Sequence, residues 1–462
     1  MDILLLNLNN FIDEHGQESK FRVKQVWVPP LGLLYIGQLL IENGYNVKVY
    51  DQNVTVAENF EIMNLIKKLN PQIVGFSVLI DNFWTVKDIH KKLKHWNPNI
   101  ITVAGNYFAN FFPEKLMKEM DFDFCIRGEG EFSFLNLVNH LDKKKHDFHE
   151  IKGLTFRENN VVKSTPLPEK LTNLDELPIP NRKLIDFNYG LTGKSTSILS
   201  SRGCPYQCRF CTFSIVMGRK WRPRSVKNVA EEIKLLKDQG YKDIVFVDDN
   251  FTLNKKRIFR LCAEIKRNQL DDLRFLGVCR VDNASFNILR ALVSAHFIQI
   301  LYGIESGSQR ILDYYKKGIT IPQIKQAVKT ANKARLELLY GTFVLGAPSE
   351  TLSEAKETIK FANKLNLTFP IFQILYANPI APIYQELVEK GQHIPQEDDW
   401  KKVFKIPDIS PTSIPTRVLM KLLNEGVTQI LNKRRVTHHL FQALKNNFYI
   451  DATIHSILQK KL

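Results

Sequence analysis

The sequence predicts an α/β protein with a doubly wound, Rossmann-like sheet first, a partial (β/α)6 barrel behind it, and a small, mostly helical C-terminal region. Three observations predict this. Short apolar runs of strand length recur along the chain. Between them lie longer segments whose apolar residues return every three or four positions, the helical period. That alternation builds parallel sheets covered by helices. Finally, the rhythm stops near residue 143 and resumes near residue 195. The chain therefore divides into 1–142, a linker with a small β-element over 143–193, the barrel over 194–384, and 385–462.

In the first domain, residues 3–8 read as a strand and 31–43 as an amphipathic helix that stops at Gly44, a usual helix terminator. Residues 47–50 form the next strand. Helix 58–69 stops at Asn70-Pro71, because proline cannot continue it. Residues 73–78 make an apolar strand of the kind parallel sheets bury on both faces. Helix 83–96, strand 100–104, helix 113–120, strand 122–126 and helix 131–141 follow. Five strands with helical crossovers make a doubly wound sheet.

The linker holds Pro166, Pro168, Pro178 and Pro180, with a hairpin around Glu158-Asn159-Asn160. Strand 197–200 then leads into a cysteine-rich loop, and helix 226–239 ends at Gly240. Strand 243–247, helix 255–268 and strands 275–279, 299–303, 340–345 and 372–376 complete six strands with helices between them. Ligands of such barrels sit at the C-terminal strand ends. From about residue 385 the pattern is helical, with Pro395, Pro407, Pro411 and Pro415 making its first half irregular.

An apolar content of 44% in 462 residues excludes a disordered chain. No run of 18 apolar residues exists, so no segment is expected to span a bilayer. Met1-Asp2-Ile3-Leu4-Leu5-Leu6 lacks a basic region and a small-residue cleavage site, and reads as a first strand, not a signal peptide. A cytoplasmic protein is expected. The formal charge of +16 favours anionic partners, although dispersed lysines on a solvated surface account for it equally. The densest basic run, Lys433-Arg434-Arg435, is short, and no nucleic-acid-binding module is recognisable.

Three of the six cysteines fall within eight residues, in Ser201-Arg202-Gly203-Cys204-Pro205-Tyr206-Gln207-Cys208-Arg209-Phe210-Cys211. This Cys-x3-Cys-x2-Cys spacing just after a strand lets Cys204, Cys208 and Cys211 each bind one iron of a four-iron, four-sulfur (4Fe-4S) cluster. Such clusters normally take four cysteines. With three, one iron keeps an open position. Zinc is the competing reading, but structural zinc wants four ligands, usually as two pairs, and no second pair lies nearby. Core cysteines fit poorly in a loop that carries Pro205, Gln207 and Arg209.

This loop resembles the signature of the radical S-adenosylmethionine (SAM) superfamily. The resemblance implies that SAM's amino and carboxylate groups occupy the open iron. It also implies that one electron splits SAM into methionine and a 5′-deoxyadenosyl radical. An external one-electron reductant such as flavodoxin or ferredoxin is then needed. By the same resemblance Phe210 packs near adenine. Phe246-Val247-Asp248-Asp249-Asn250-Phe251 resembles the second-strand segment that faces SAM's amino group, through Asp248 or Asp249, though both could also be turn or capping residues. Gly303-Ile304-Glu305-Ser306-Gly307-Ser308 resembles the fourth-strand end, placing Glu305 near the ribose. Gly341-Thr342-Phe343-Val344-Leu345-Gly346-Ala347-Pro348-Ser349-Glu350 resembles the fifth-strand segment, with the backbone at Leu345 flanking adenine. Arg280 is a candidate for SAM's carboxylate. Carboxylates suit an ammonium or ribose hydroxyls, and a guanidinium suits a carboxylate. One departure stands out. Many relatives carry Pro-Gly-Thr-Pro after the sixth strand, where this chain has Asn378-Pro379-Ile380-Ala381-Pro382-Ile383-Tyr384.

A doubly wound sheet ahead of such a barrel is similar to the cobalamin-binding branch of the family, which includes methyltransferases and the anaerobic magnesium-protoporphyrin ester cyclase. The resemblance lies in Pro29-Pro30-Leu31-Gly32-Leu33-Leu34-Tyr35-Ile36-Gly37, Ala104-Gly105-Asn106, Arg127-Gly128-Glu129-Gly130-Glu131 and Leu174-Asp175-Glu176-Leu177-Pro178-Ile179-Pro180. It implies cobalamin at the C-terminal strand edge near Ser77, Gly105, Gly128 and Glu129, unless those glycines only make tight turns. Asp13-Glu14-His15-Gly16 has half of another branch's cobalt-binding motif, with Glu18 in place of its glycine, so no protein histidine is expected on cobalt. His438-His439 diverge on a helix and carry little weight as a metal pair. Cys125, Cys262 and Cys279 fit buried, unreactive thiols.

Methyl transfer to an unactivated carbon or phosphorus, most of all carbon, is the first functional expectation. Cobalamin-assisted ring closure, oxidation or rearrangement is the second, and a non-catalytic basic binding protein the third. A small-molecule, lipid or tetrapyrrole-like substrate is expected. Residues 391–462 carry 11 Lys and Arg against 6 Asp and Glu, so they could touch an anionic or lipid substrate or form a plain helical cap.

Overall fold

The computed structural model describes residues 1–9, 29–52, 58–80, 82–185, 194–392 and 412–431. The chain forms two compact units, Met1–Tyr189 and Gly190–Leu462.

The first unit is built on a seven-stranded sheet. Strands β1 (Asp2–Asn7), β2 (Asn46–Asp51), β3 (Ile73–Ser77), β4 (Ile101–Gly105) and β5 (Phe124–Ile126) run parallel, in the order β2-β1-β3-β4-β5. The hairpin expected around Asn159 forms β6 (Leu154–Glu158) and β7 (Val161–Ser164), which extend the sheet antiparallel beyond β5. Helices α1 (Leu31–Glu42), α2 (Asn59–Leu69), α3 (Phe83–Trp96), α4 (Asn106–Phe111), α5 (Pro113–Met120) and α6 (Gly130–Asp142) connect the strands. Leu34 and Leu40 of α1 and Leu137 and Val138 of α6 pack on Ile3, Leu5 and Ile73. Each such side chain stabilises by about 1.5–3 kcal/mol on full burial. The short α4 was not expected. Strand β5 begins two residues late because Asp123 turns aside to accept hydrogen bonds from Thr102 N and Oγ1 at 2.7 and 2.8 Å and from Lys94 at 2.7 Å. The strand order reverses between β1 and β3, and open α/β sheets bind ligands beside the C-terminal ends at such a switch. Residues 13–18 lie outside the described residues.

The second unit holds a six-stranded parallel sheet in chain order: β8 (Ser195–Ile198), β11 (Asp243–Phe246), β12 (Arg274–Cys279), β13 (Phe297–Glu305), β14 (Leu338–Leu345) and β15 (Phe369–Ile374). Strands β9 (Ser201–Arg202) and β10 (Arg222–Pro223) form a small antiparallel pair beside β8. Helices α7 (Phe213–Val216), α8 (Val226–Asp238), α9 (Lys255–Arg267), α10 (Phe286–Ser294), α11 (Gln309–Tyr314), α12 (Ile321–Lys333), α13 (Leu352–Lys364) and α14 (Pro382–Glu389) follow their strands, and α15 (Thr416–Leu431) closes the described chain. This is the expected partial barrel, with β8 and β15 as its open edges. Local sequence sets the helix starts. Ser225 and Asn254 cap α8 and α9, and Thr320 with Gln323 and Thr351 with Glu354 form capping boxes on α12 and α13.

Alternate strand residues such as Phe246, Phe275, Ile300, Tyr302, Leu339 and Phe343 pack against the helices in one apolar core. The other face carries Val245, Val278, Leu301, Thr342 and Ile371, all only half-buried. Strand β15 starts three residues before its expected position. Pro370 falls inside the strand and pairs with Gly341, on an edge strand where a missing N–H is tolerated. Helix α15 buries Leu419, Leu422, Leu423 and Val427 in the same core, so the described part of the C-terminal region covers the barrel's outer face. Lys433-Arg434-Arg435 and His438-His439 lie outside the described residues. No helix among the described residues is long and apolar enough to cross a membrane.

Candidate functional site

The cysteine loop leaves β8 at the C-terminal edge of the barrel, and a buried polar network braces its base. Asp248, 2% exposed, accepts hydrogen bonds from Ser200 N at 2.8 Å, Ser200 Oγ at 2.7 Å and Ser201 Oγ. Arg257 donates to Ser200 O at 3.0 Å, and Arg224 donates to Leu199 O at 3.0 Å while pairing with the buried Glu232. Gly203 then turns the chain with φ +88°, and a Cβ there would lie 2.4 Å from the Lys220 carbonyl oxygen. Only glycine fits both the backbone and the space. Cys204 N donates to Gly218 O at 3.0 Å, and Gly203 N to Asp249 Oδ2 at 3.0 Å.

The far side of the loop is held by the elements after β13 and β15. Arg209 N donates to Tyr315 O at 3.0 Å, and Ile383 N donates to Arg209 O at 3.3 Å. The Arg209 guanidinium bonds Glu386 at 2.8 Å, and Tyr314 OH donates to the same carboxylate at 3.0 Å. The unusual segment after the sixth strand therefore leads into α14, which clamps the cysteine loop. Sequence reasoning missed this clamp, since its members lie up to 177 positions apart.

The three thiols sit close enough to influence one another. Burial pushes the Cys204 and Cys211 thiols up, and the Asp249 carboxylate and neighbouring cysteines push them further, against backbone donors that pull them down. Three sulfurs can stay ionised together on this loop only beside a cationic centre. Three free cysteines on one loop, with no fourth cysteine or histidine in it, are the donor set that suits a 4Fe-4S cluster with one open iron and falls short of a four-ligand structural zinc.

Beside the loop lies a second polar cluster on the half-open face. Arg280 stacks 3.6 Å from the centre of the Tyr206 ring, grips both Asp282 oxygens at 3.0 Å and donates to Lys317 O at 2.6 Å. Lys317 Nζ lies 2.7 Å from Glu305 Oε1, and Thr342 Oγ1 donates to Glu305 Oε2 at 3.3 Å. Both members of this ion pair are buried. Gly303 makes room for it: a Cβ there would sit 2.7 Å from Glu305 Oε1 and 2.8 Å from Lys317 Nζ. Phe210 packs edge-on to Tyr315 at 5.0 Å, with Lys317 Nζ 6.0 Å from its ring centre. Asn250 is 2% exposed, and neither its amide nitrogen nor its amide oxygen has a hydrogen-bond partner. A buried amide left so needs a further polar partner.

The structure thus brings Phe210, Asp249, Arg280 and Glu305 around the cysteine loop. Asp248 sits beneath the loop, with its oxygens taken by the two serines. Leu345 lies in the core, and its carbonyl accepts from Leu375 N at 2.7 Å. Lys317, Tyr206 and Thr342 join the cluster although the sequence did not single them out as contacts.

In the first unit, Ser77 and Gly105 are register partners at the C-terminal ends of β3 and β4. Asn106 donates to Ser77 Oγ at 3.1 Å, and a Cβ on Gly105 would meet nothing nearer than Phe76 O at 3.9 Å. Space for a side chain is therefore left at Gly105, beside the buried Ser77. Gly128 packs against Pro168, and Glu129 accepts from Leu171 N at 3.3 Å.

One further carboxylate stands at the end of β14. Glu350 Oε2 accepts from Gly346 N and from Ala347 N at 3.3 Å, while its buried Oε1 has no partner. Burial pushes its pKa from 4.5 up to about 7, against those two amides, with Glu354 raising it and Arg310 lowering it. Because the folded value lies above the unfolded one, the stabilising form is the protonated one. Its contribution is complete below about pH 4.5 and is lost as pH rises through 7, about 3 kcal/mol in all. Glu350→Gln should therefore gain melting temperature relative to wild type between pH 5 and pH 8. An unchanged difference across that range would refute the assignment.

Comparisons with known proteins agree with this geometry. Residues 198–362 match the family model of the Radical SAM superfamily, and residues 23–138 match that of the B12 binding domain. The chain is 34% identical over 416 residues to an uncharacterized methyltransferase, PH0819, of Pyrococcus horikoshii, covering 89% of this chain and 88% of that one. It is 24% identical to the anaerobic magnesium-protoporphyrin IX monomethyl ester cyclase of Cereibacter sphaeroides, covering 89% of this chain and 68% of the cyclase. Its fold is that of the radical SAM methyltransferase TsrM from Kitasatospora setae, with a TM-score of 0.72, 19% identity, and coverage of 84% of this chain and 76% of TsrM. A braced loop with three cysteines, a parallel barrel and a doubly wound sheet earlier in the chain meet in one group, and the chain belongs to it: the radical SAM enzymes that carry a B12-binding domain.

Proposed function

We propose that Cys204, Cys208 and Cys211 hold the 4Fe-4S cluster, and that the chain moves a methyl group from SAM to an unactivated carbon of a small molecule. The carrying observation is the placement of these three thiols on one braced loop at the barrel's C-terminal edge, in a chain that also has a B12-binding domain. When bound, the cluster supplies one electron to SAM, and the corrinoid supplies a carrier for a methyl group. The protein's own residues bind and orient. Asp249 suits SAM's ammonium and Arg280 its carboxylate. Glu305, fixed by Lys317 and Thr342, suits the ribose hydroxyls, and Phe210 suits the adenine face. Asp248 sets the loop's base and does not touch SAM. Residues 1–142 carry cobalamin, with Ser77, Gly105, Gly128 and Glu129 along its approach, and residues 194–384 carry the radical chemistry.

The cyclase relative keeps a tetrapyrrole-like substrate and ring closure as a second reading. Anaerobic turnover of the reconstituted enzyme with SAM and extract of its source separates the two. Methyl transfer requires S-adenosylhomocysteine and 5′-deoxyadenosine together, with deuterium from methyl-labelled SAM in a small molecule. 5′-Deoxyadenosine with no S-adenosylhomocysteine would overturn it in favour of the second.

A further inference from the structure

The electron that splits SAM has to reach the cysteine loop from outside the barrel, and the outer side of that loop has an unusual surface. From residue 187 to residue 230 the sequence has eight Lys and Arg and no Asp or Glu. Arg222 and Arg224 are buried, but Arg219, Lys220 and Lys227 are exposed. The turn that carries Arg219 and Lys220 lies on the cysteine loop itself, since Cys204 N donates to Gly218 O and Gly203 approaches the Lys220 carbonyl so closely that only glycine fits. On the loop's other flank, two residues after Cys211, Phe213 is 62% exposed, more than any other large apolar side chain among the described residues. Pro205 and Gln207 between them are exposed, and Cys204 and Cys211 are half-buried.

A lone exposed phenylalanine is ordinary. Lys227 pairs with Glu231, but the exposed Phe213, Arg219 and Lys220 flank the loop whose thiols would hold an electron acceptor, and together they make a docking surface with a definite complement. Long-range attraction between a basic patch and an acidic partner raises encounter rates, and a central aromatic anchors the complex. We propose that Phe213, Arg219 and Lys220 form the docking surface for a small acidic electron-carrier protein of the flavodoxin type. The inference rests on the cluster assignment above. At this step the carrier is oxidised by one electron and the cluster is reduced by one. No bond forms or breaks.

The test uses full-length enzyme reconstituted with iron, sulfide and hydroxocobalamin, and reads 5′-deoxyadenosine formation with two reductants, reduced flavodoxin and dithionite. The Arg219→Glu, Lys220→Glu double variant should lose about tenfold or more of its flavodoxin-driven rate at low salt and keep its dithionite-driven rate. The wild-type flavodoxin rate should fall with added salt, and the variant's should not. Phe213→Ser should repeat the selective loss. Equal flavodoxin rates in variant and wild type would overturn the docking surface. Equal loss with both reductants would also overturn it, placing these residues in support of the cluster. Absence of SAM cleavage by wild type even with dithionite would overturn the cluster assignment, and this surface with it.

Discussion

Cys208→Ala is expected to leave 5′-deoxyadenosine formation at background, at least a thousandfold below wild type. That is about 4 kcal/mol of lost transition-state stabilisation at the least. The reason is stoichiometric. Three thiolates leave one iron open for SAM, and two leave a cluster that is short of a protein ligand as well. Cys208 is the buried member of the three, at 9% exposed. The overall fold should survive, because the loop's base is fixed by Asp248, Arg224 and Arg257 and its far side by Tyr315 and Glu386, none of which needs the thiol. Iron content, the cluster's visible absorbance and SAM cleavage should fall together, while the melting temperature of the metal-free protein stays within a few degrees. Retained SAM cleavage in this variant would remove Cys208 from the cluster.

The second large effect concerns Lys317. Removing one partner of a buried ion pair strands the other charge, at a cost of about 3–5 kcal/mol. Glu305 and Lys317 are both buried, so Lys317→Met should destabilise the second unit by that amount, roughly 10 °C in melting temperature. Replacing both, with Glu305→Leu and Lys317→Met, removes the stranded charge and should restore most of the lost stability, because apolar replacement of a whole buried pair is often near neutral. The double variant separates fold from function. It should melt near wild type and still bind SAM about 10- to 100-fold more weakly, the worth of a hydrogen bond to a charged group. Calorimetry gives the stability and equilibrium binding gives the affinity. A double variant that binds SAM normally would reduce Glu305 to a structural role.

How much of this was legible in the sequence depends on distance along the chain. The cysteine triad stands out directly, because three thiols within eight residues need no fold to bring them onto one loop. Glu305 could be read as a strand-end position, because parallel strands in such folds gather their C-terminal ends. Its partner Lys317 could not. It follows α11 and a turn through Lys316 at φ 50°, and only the tertiary fold returns it to β13. The Tyr206–Arg280 stack spans two strands of the barrel and left no local signal. Asp248 and Asp249 were indistinguishable in sequence. They lie in the turn beyond β11, where one braces the loop from below and the other reaches the Gly203 amide. The hairpin at Asn159 was legible from its turn residues, but its addition to the sheet edge depended on β5 offering a free edge.

The most direct measurement is electron–nuclear double resonance on the reduced, reconstituted enzyme with SAM labelled with nitrogen-15 and oxygen-17 in its methionine amino and carboxylate groups. Coupling of both labels to the cluster's unpaired electron is expected, because one iron has no protein ligand. A four-iron cluster whose spectrum is unchanged by SAM, or a protein that binds zinc in place of iron at the cysteine loop, would contradict the assignment of three thiolates and one open iron.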